Sequence, residues 1–102
     1  MSPYILSEFA LIDLGEILYY YVENAGPDVA YRMRRQFFDQ FARIAEHPGI
    51  GHTRSDLTSR PFVFFPSDPY LIFYERDDSP ITIHAILHGA RDIKQILKDR
   101  SF

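Results

Sequence analysis

The residues best suited to chemistry lie at the end of the apolar run Ile81–Leu87, where the chain reads His88-Gly89-Ala90-Arg91-Asp92. Strand alternation over this run places Ile81, Ile83, Ala85 and Leu87 on one face and Thr82, His84, Ile86 and His88 on the other. Four residues of strand span about 13 Å, so one metal ion cannot touch both imidazoles. With no cysteine for a thiolate site, neither a metal nor another cofactor is expected. His88 beside Arg91 would suit phosphodiester cleavage, one moving a proton and the other holding the phosphate. The alternatives are a polar sheet edge and an Arg91 held in an internal salt bridge. Asp92 could steady the Arg91 fork or cap a following helix, and Gly89 supplies backbone freedom where the strand ends.

A second set of cations sits mid-chain. Arg32, Arg35 and Arg43 stand four residues from Asp28 or Asp39, and with Arg34 they read as a solvated helix face and not as a phosphate patch. Arg54 and Arg60 have no such helical partners and are candidates for contacting an acidic partner segment.

Several elements must position these groups. Tyr4-Ile5-Leu6 is a short strand before Ser7, a capping residue, and Ala10, Leu14, Ile17 and Tyr21 recur at helical spacing, predicting a helix over 8–24. Gly26-Pro27 breaks it and starts a second helix, whose stripe Ala30, Met33, Phe37, Phe41 and Ile44 runs to the stop at His47-Pro48-Gly49. A polar loop, Gly49 to Arg60, leads to strands over 61–65, 70–74 and 81–87, and Ile93, Ile96 and Leu97 predict a short terminal helix. The expected fold is α+β: an N-terminal strand joining the sheet, an antiparallel helical hairpin, a three-stranded antiparallel meander and a short C-terminal helix, as one domain over 1–102.

Eleven of the 18 residues from Ser7 to Asn24 are apolar or aromatic, and Leu11, Leu18 and Val22 fall off the stripe that faces the second helix. So wide an apolar arc must be covered twice, by its own domain and then either by the sheet or by a partner.

Composition narrows the classes. The 102 residues, 46% hydrophobic and with nine Phe and seven Tyr, exclude low-complexity disorder. Met1-Ser2-Pro3-Tyr4 lacks a basic region followed by an apolar run, and no apolar run of membrane-spanning length occurs, so neither a signal peptide nor a membrane partner is expected. The absence of cysteine favours a reducing compartment, the cytoplasm. Net charge is −3, with five acids and no base before residue 32 and six arginines against three acids over 32–60. That balance disfavours direct high-affinity DNA binding, which neutralises phosphates with a strong basic excess, and favours a protein partner.

Four pieces in this order carry a resemblance: Tyr4-Ile5-Leu6-Ser7 with Ala10 and Asp13-Leu14; Ile44-Ala45-Glu46-His47-Pro48-Gly49-Ile50-Gly51; Tyr70-Leu71-Ile72-Phe73-Tyr74; and Ile86-Leu87-His88-Gly89-Ala90-Arg91-Asp92-Ile93. Together they resemble the ParE branch of the ParE/RelE toxin superfamily over almost the whole chain. The resemblance implies the toxin of a bacterial toxin–antitoxin module, wrapped by the C-terminal segment of a ParD-like antitoxin and blocking DNA gyrase when free. Its ribonuclease relatives place an arginine straight after the third-strand tyrosine and a Tyr or His near the C-terminus. Here Leu71 follows Tyr70, and residues 93–102 contain neither, which favours a toxin that acts by binding, without catalytic residues, over a RelE-like messenger ribonuclease or a non-toxic relative that only binds antitoxin. Antitoxin contact is then expected at Leu11, Leu18 and Val22, and target contact at His88, Arg91 and Asp92, with Arg54 and Arg60 as further candidates.

Overall fold

The computed structural model describes residues 3–100 and Phe102. Met1 and Ser2 of the leader reading, and Ser101 of the tail, lie outside the described residues. The elements are β1 (Tyr4–Leu6), α1 (Glu8–Ala25), α2 (Pro27–Glu46), β2 (His52–Thr53), β3 (Phe62–Ser67), β4 (Tyr70–Glu75), β5 (Ile81–His88) and α3 (Ile93–Asp99).

The helical hairpin forms where capping and periodicity place it. Ser7 accepts a hydrogen bond from the Ala10 N–H at 3.1 Å and so satisfies one free donor of the first turn of α1. Its own hydroxyl donates to the His84 carbonyl, which docks the helix start on β5. Gly26, at φ 92°, ends α1 in backbone space that side chains rarely enter, and Pro27 then opens α2 at once. Ala30, Phe37, Phe41 and Ile44 of α2 are buried and Met33 half-buried, matching the predicted stripe.

The sheet runs β1-β5-β4-β3-β2, with β1 parallel to β5 and every other pair antiparallel. It has one strand more than the sequence reading. His52-Thr53, read within a polar loop, adds a two-residue edge to β3, which is too short to show alternation. The hairpin covers one face of the sheet through Val63, Tyr70, Ile72, Tyr74, Ile81, Ile83 and Ile86. On the other face Phe62, Phe73, Ala85 and Leu87 pack under Ile93 and Leu97 of α3. Helical hairpin, sheet and terminal helix thus form three layers.

One pairing irregularity corrects the sequence reading of the histidines. Phe73 pairs with Ala85 but Tyr74 with Ile83, so His84 is an extra residue, a β-bulge. Beyond a bulge the alternation changes phase: Ile81, Ile83, Ile86 and His88 lie on the hairpin side, whereas Ala85 and Leu87 lie on the α3 side. His84 packs on Phe62 and Phe102, both on the α3 side, and pairs with Asp78 at 3.2 Å. The two histidines therefore do not share a face.

Candidate functional site

At one end of the sheet the turn between β3 and β4 meets the exit of β5. Tyr70 pairs with His88 across the strands, and the Gly89 N–H donates to the Pro69 carbonyl at 2.8 Å, pinning the exit. Helix α1 passes over this end with Asp13, Glu16, Ile17, Tyr20 and Tyr21. Between helix and sheet lies a cavity of about 320 Å³, also walled by Pro69, Tyr70, Ile86, His88 and Arg91.

Two of the polar groups at the sheet side of the cavity, His88 and Tyr70, have defined hydrogen-bond partners. The Ala90 N–H donates to His88 Nδ1 at 3.0 Å, so the neutral imidazole carries its proton on Nε2. Tyr70 stands edge-on to that ring at 5.4 Å between centroids. The Tyr70 hydroxyl donates to that of Tyr21 across a long 3.4 Å. Burial, followed by the bond to Tyr21, pushes the Tyr70 phenol well above its ordinary range, so it stays a neutral donor. Three ion pairs occur among the described residues, and none includes Arg91; the internal salt bridge weighed for it from sequence is not formed.

Beneath the cavity sits a charged junction that the sequence reading did not single out. Arg100 donates through both terminal nitrogens to Asp13, at 2.7 and 2.8 Å, while the Ile86 N–H donates to the same carboxylate at 2.9 Å. The Asp13 side chain is 1% exposed and that of Arg100 15%, and the guanidinium also lies over the Phe9 ring. An acid at the inward positions of α1, between Ala10, Leu14 and Ile17, was the available signal. Its partner, 87 residues away, had none.

The other sequence candidates are placed elsewhere. Asp92 caps α3, accepting from the Gln95 N–H at 3.3 Å, and is not a partner of Arg91. Arg54 and Arg60 line a separate cleft with Arg76 and Asp77 at the opposite end of β3 and β4, roughly 17 Å away along the strands. The Arg54 fork is occupied by Asp56, whose carboxyl that hydrogen bond holds below its ordinary range; Arg60 lies over Phe62 and Phe102. None of the helical arginine–aspartate pairs of α2 closes within 4.0 Å among the described residues. Instead Arg34 and Arg43 sit over Phe38 and Phe65.

The wide arc of α1 is not covered by the sheet. Leu11 is 55% exposed and Val22 43%, with Ile12, Tyr19 and Tyr20 exposed beside them, and Gly15 between Leu11 and Tyr19 faces open space. Leu18 differs: it is half-buried and packs against the hairpin-side core. No helix among the described residues is long and apolar enough to cross a membrane.

A sequence model described as "ParE toxin of type II toxin-antitoxin system, parDE" matches residues 4–93. The chain belongs to the ParE toxin family. Among solved structures, a chain of the chromosomal ParDE TA system from P. aeruginosa shares the fold at a TM-score of 0.70 and 19% identity, covering 86% of this chain and 96% of its own. No curated protein sequence matches. The family match spans α1, the cavity and Arg91 and stops at Ile93, short of Arg100 and Phe102. In this ParE-family chain, therefore, the ion pair that closes the Asp13 junction draws its cation from outside the matched segment.

Proposed function

We propose that this ParE-family toxin is a single domain that acts by binding, with DNA gyrase as target, and that a ParD-like antitoxin neutralises it by laying an amphipathic helix along α1. The observation that carries this reading is the uncovered face of α1, on which Leu11, Ile12, Tyr19 and Val22 are all exposed, as an apolar face kept for a partner is. Two features support binding over catalysis. Leu71, which stands where the ribonuclease relatives hold phosphate, packs towards the α3-side core. In the described tail, moreover, Arg100 is committed to Asp13. Target contact falls to the exit segment His88, Arg91 and Asp92, where the Arg91 fork is free of carboxylates among the described residues.

The deciding experiment compares gyrase-mediated DNA cleavage with ribosome-bound messenger cleavage, using the purified chain in both. Accumulated gyrase–DNA breaks, relieved by coexpressed antitoxin, are expected. Codon-positioned messenger cuts with gyrase unaffected would make the chain a ribonuclease acting through His88 and Arg91.

A further inference from the structure

The cavity between α1 and the sheet end has the make-up of a ligand site, with mostly apolar walls and a few converging polar groups. Ile17, Ile86, Pro69 and the tyrosine rings form the walls. The lining supplies several donors: the Arg91 fork, the Nε2 proton of His88, and the Tyr21–Tyr70 hydroxyl pair, whose 3.4 Å contact is long enough to yield to a better acceptor. The lining also includes Glu16, an acceptor.

Charge selects the ligand. Asp13 is already neutralised by Arg100, so the lining offers one free cation, Arg91, against one free anion, Glu16. A dianionic phosphate would meet a single guanidinium and be repelled by Glu16. A singly charged carboxylate is matched by the guanidinium fork. About 320 Å³ is ample for one large apolar side chain with its carboxylate.

We propose that this cavity is a receptor for the C-terminal residue of a peptide partner: the terminal carboxylate lies against Arg91 and His88, the apolar side chain enters between Ile17, Ile86 and Tyr70, and the terminal amide N–H faces Glu16. The proposal rests on reading the exit segment as a contact surface, and it names what that surface recognises. Because its test reads binding on the purified chain, failure of the cavity and failure of the gyrase reading are separate results.

Backbone-amide NMR of the full chain, titrated with N-acetyl-L-phenylalanine, tests it. Saturable shifts are expected at Ile86, His88, Gly89 and Arg91, with binding at least about tenfold tighter than that of N-acetyl-L-phenylalaninamide, which lacks the charge. Arg91→Gln should bring the acid down to the amide's affinity. Arg76→Gln, in the distant cleft, should leave it unchanged, and the dispersed spectrum shows that each variant is folded. Equal binding of acid and amide, an acid affinity that survives Arg91→Gln, or no shifts in these residues up to roughly 20 mM overturns the proposal. Stronger binding of uridine monophosphate than of the acid would also overturn it and make the cavity a nucleotide site.

Discussion

At the scale of single residues, the Asp13–Arg100 junction carries the largest expected stability effect. Removing one member leaves the other's charge, or the Ile86 N–H, buried without its partner. Asp13→Ala or Arg100→Ala should therefore cost about 3–5 kcal/mol in urea denaturation, and the double variant Asp13→Leu with Arg100→Met much less than the sum. Buried phenols set the alkaline limit. Burial raises Tyr4, Tyr70 and Tyr74 above their ordinary value, and the Tyr74 hydroxyl donates to the Pro48 carbonyl at 2.6 Å. The folded state thus keeps these protons at pH values where the unfolded chain begins to lose them near pH 10. Their stabilisation is complete below that point and is lost as pH rises through the folded-state values. Stability should accordingly fall steeply above about pH 10, and Tyr74→Phe should flatten that fall while costing about 1–2 kcal/mol at neutral pH. Phenolate absorbance and denaturation followed together against pH would check both.

At the scale of elements, α1 serves two masters. Its inner side, Ala10, Asp13 and Leu14, is buried, and its outer side is apolar yet uncovered. Leu11→Asp and Val22→Asp should leave stability within about 0.5 kcal/mol while lowering affinity for the antitoxin in gel filtration of the coexpressed pair. Leu18→Asp would both destabilise the chain and weaken the complex, because Leu18 packs on the core, so it does not isolate docking. Gly15 separates the roles more sharply. A Cβ there meets nothing, so Gly15→Ala should raise the stability of the free chain by about 0.5–1 kcal/mol. If the partner helix approaches closely at this point, the same methyl should weaken the complex. A gain in both would place the antitoxin elsewhere.

At the scale of the whole molecule, the C-terminal segment closes the third layer. Ile93 and Leu97 cap the α3-side core, Phe102 packs on Phe9, Phe62 and His84, and Arg100 reaches through to Asp13. Sheet, hairpin and tail are therefore expected to unfold as one cooperative unit. Leu97→Ala should cost about 2–5 kcal/mol, and truncation after Asp92 should abolish cooperative thermal unfolding by calorimetry. A truncated chain that keeps a cooperative transition would mean that the tail only decorates a core of hairpin and sheet. Gly51 shows how tightly the opposite corner is packed: a Cβ there would fall 2.5 Å from the Tyr74 hydroxyl, which its bond to Pro48 holds in place.

Local periodicity and capping chemistry are properties of neighbours in sequence, and they sufficed for Ser7, Gly26-Pro27, the stripe of α2, four of the five strands and α3. They also marked the surplus apolar arc of α1, although only the packed structure separates exposed Leu11 and Val22 from Leu18, which the domain covers itself. Beyond the N-terminal strand joining the sheet, relations between distant segments were not legible. The bulge at His84 arises from pairing against β4, not from any residue signal in β5, and it moves Ile86 and His88 to the face opposite the one alternation assigns. The same packing brings Glu16 and Tyr21 of α1 beside Tyr70, His88 and Arg91, and joins Asp13 to Arg100. Sequence alone determined the family and, β2 apart, the order of the elements, because both rest on short-range pattern. Tertiary structure decided the candidate site, because its members meet only after α1 has crossed the end of the sheet.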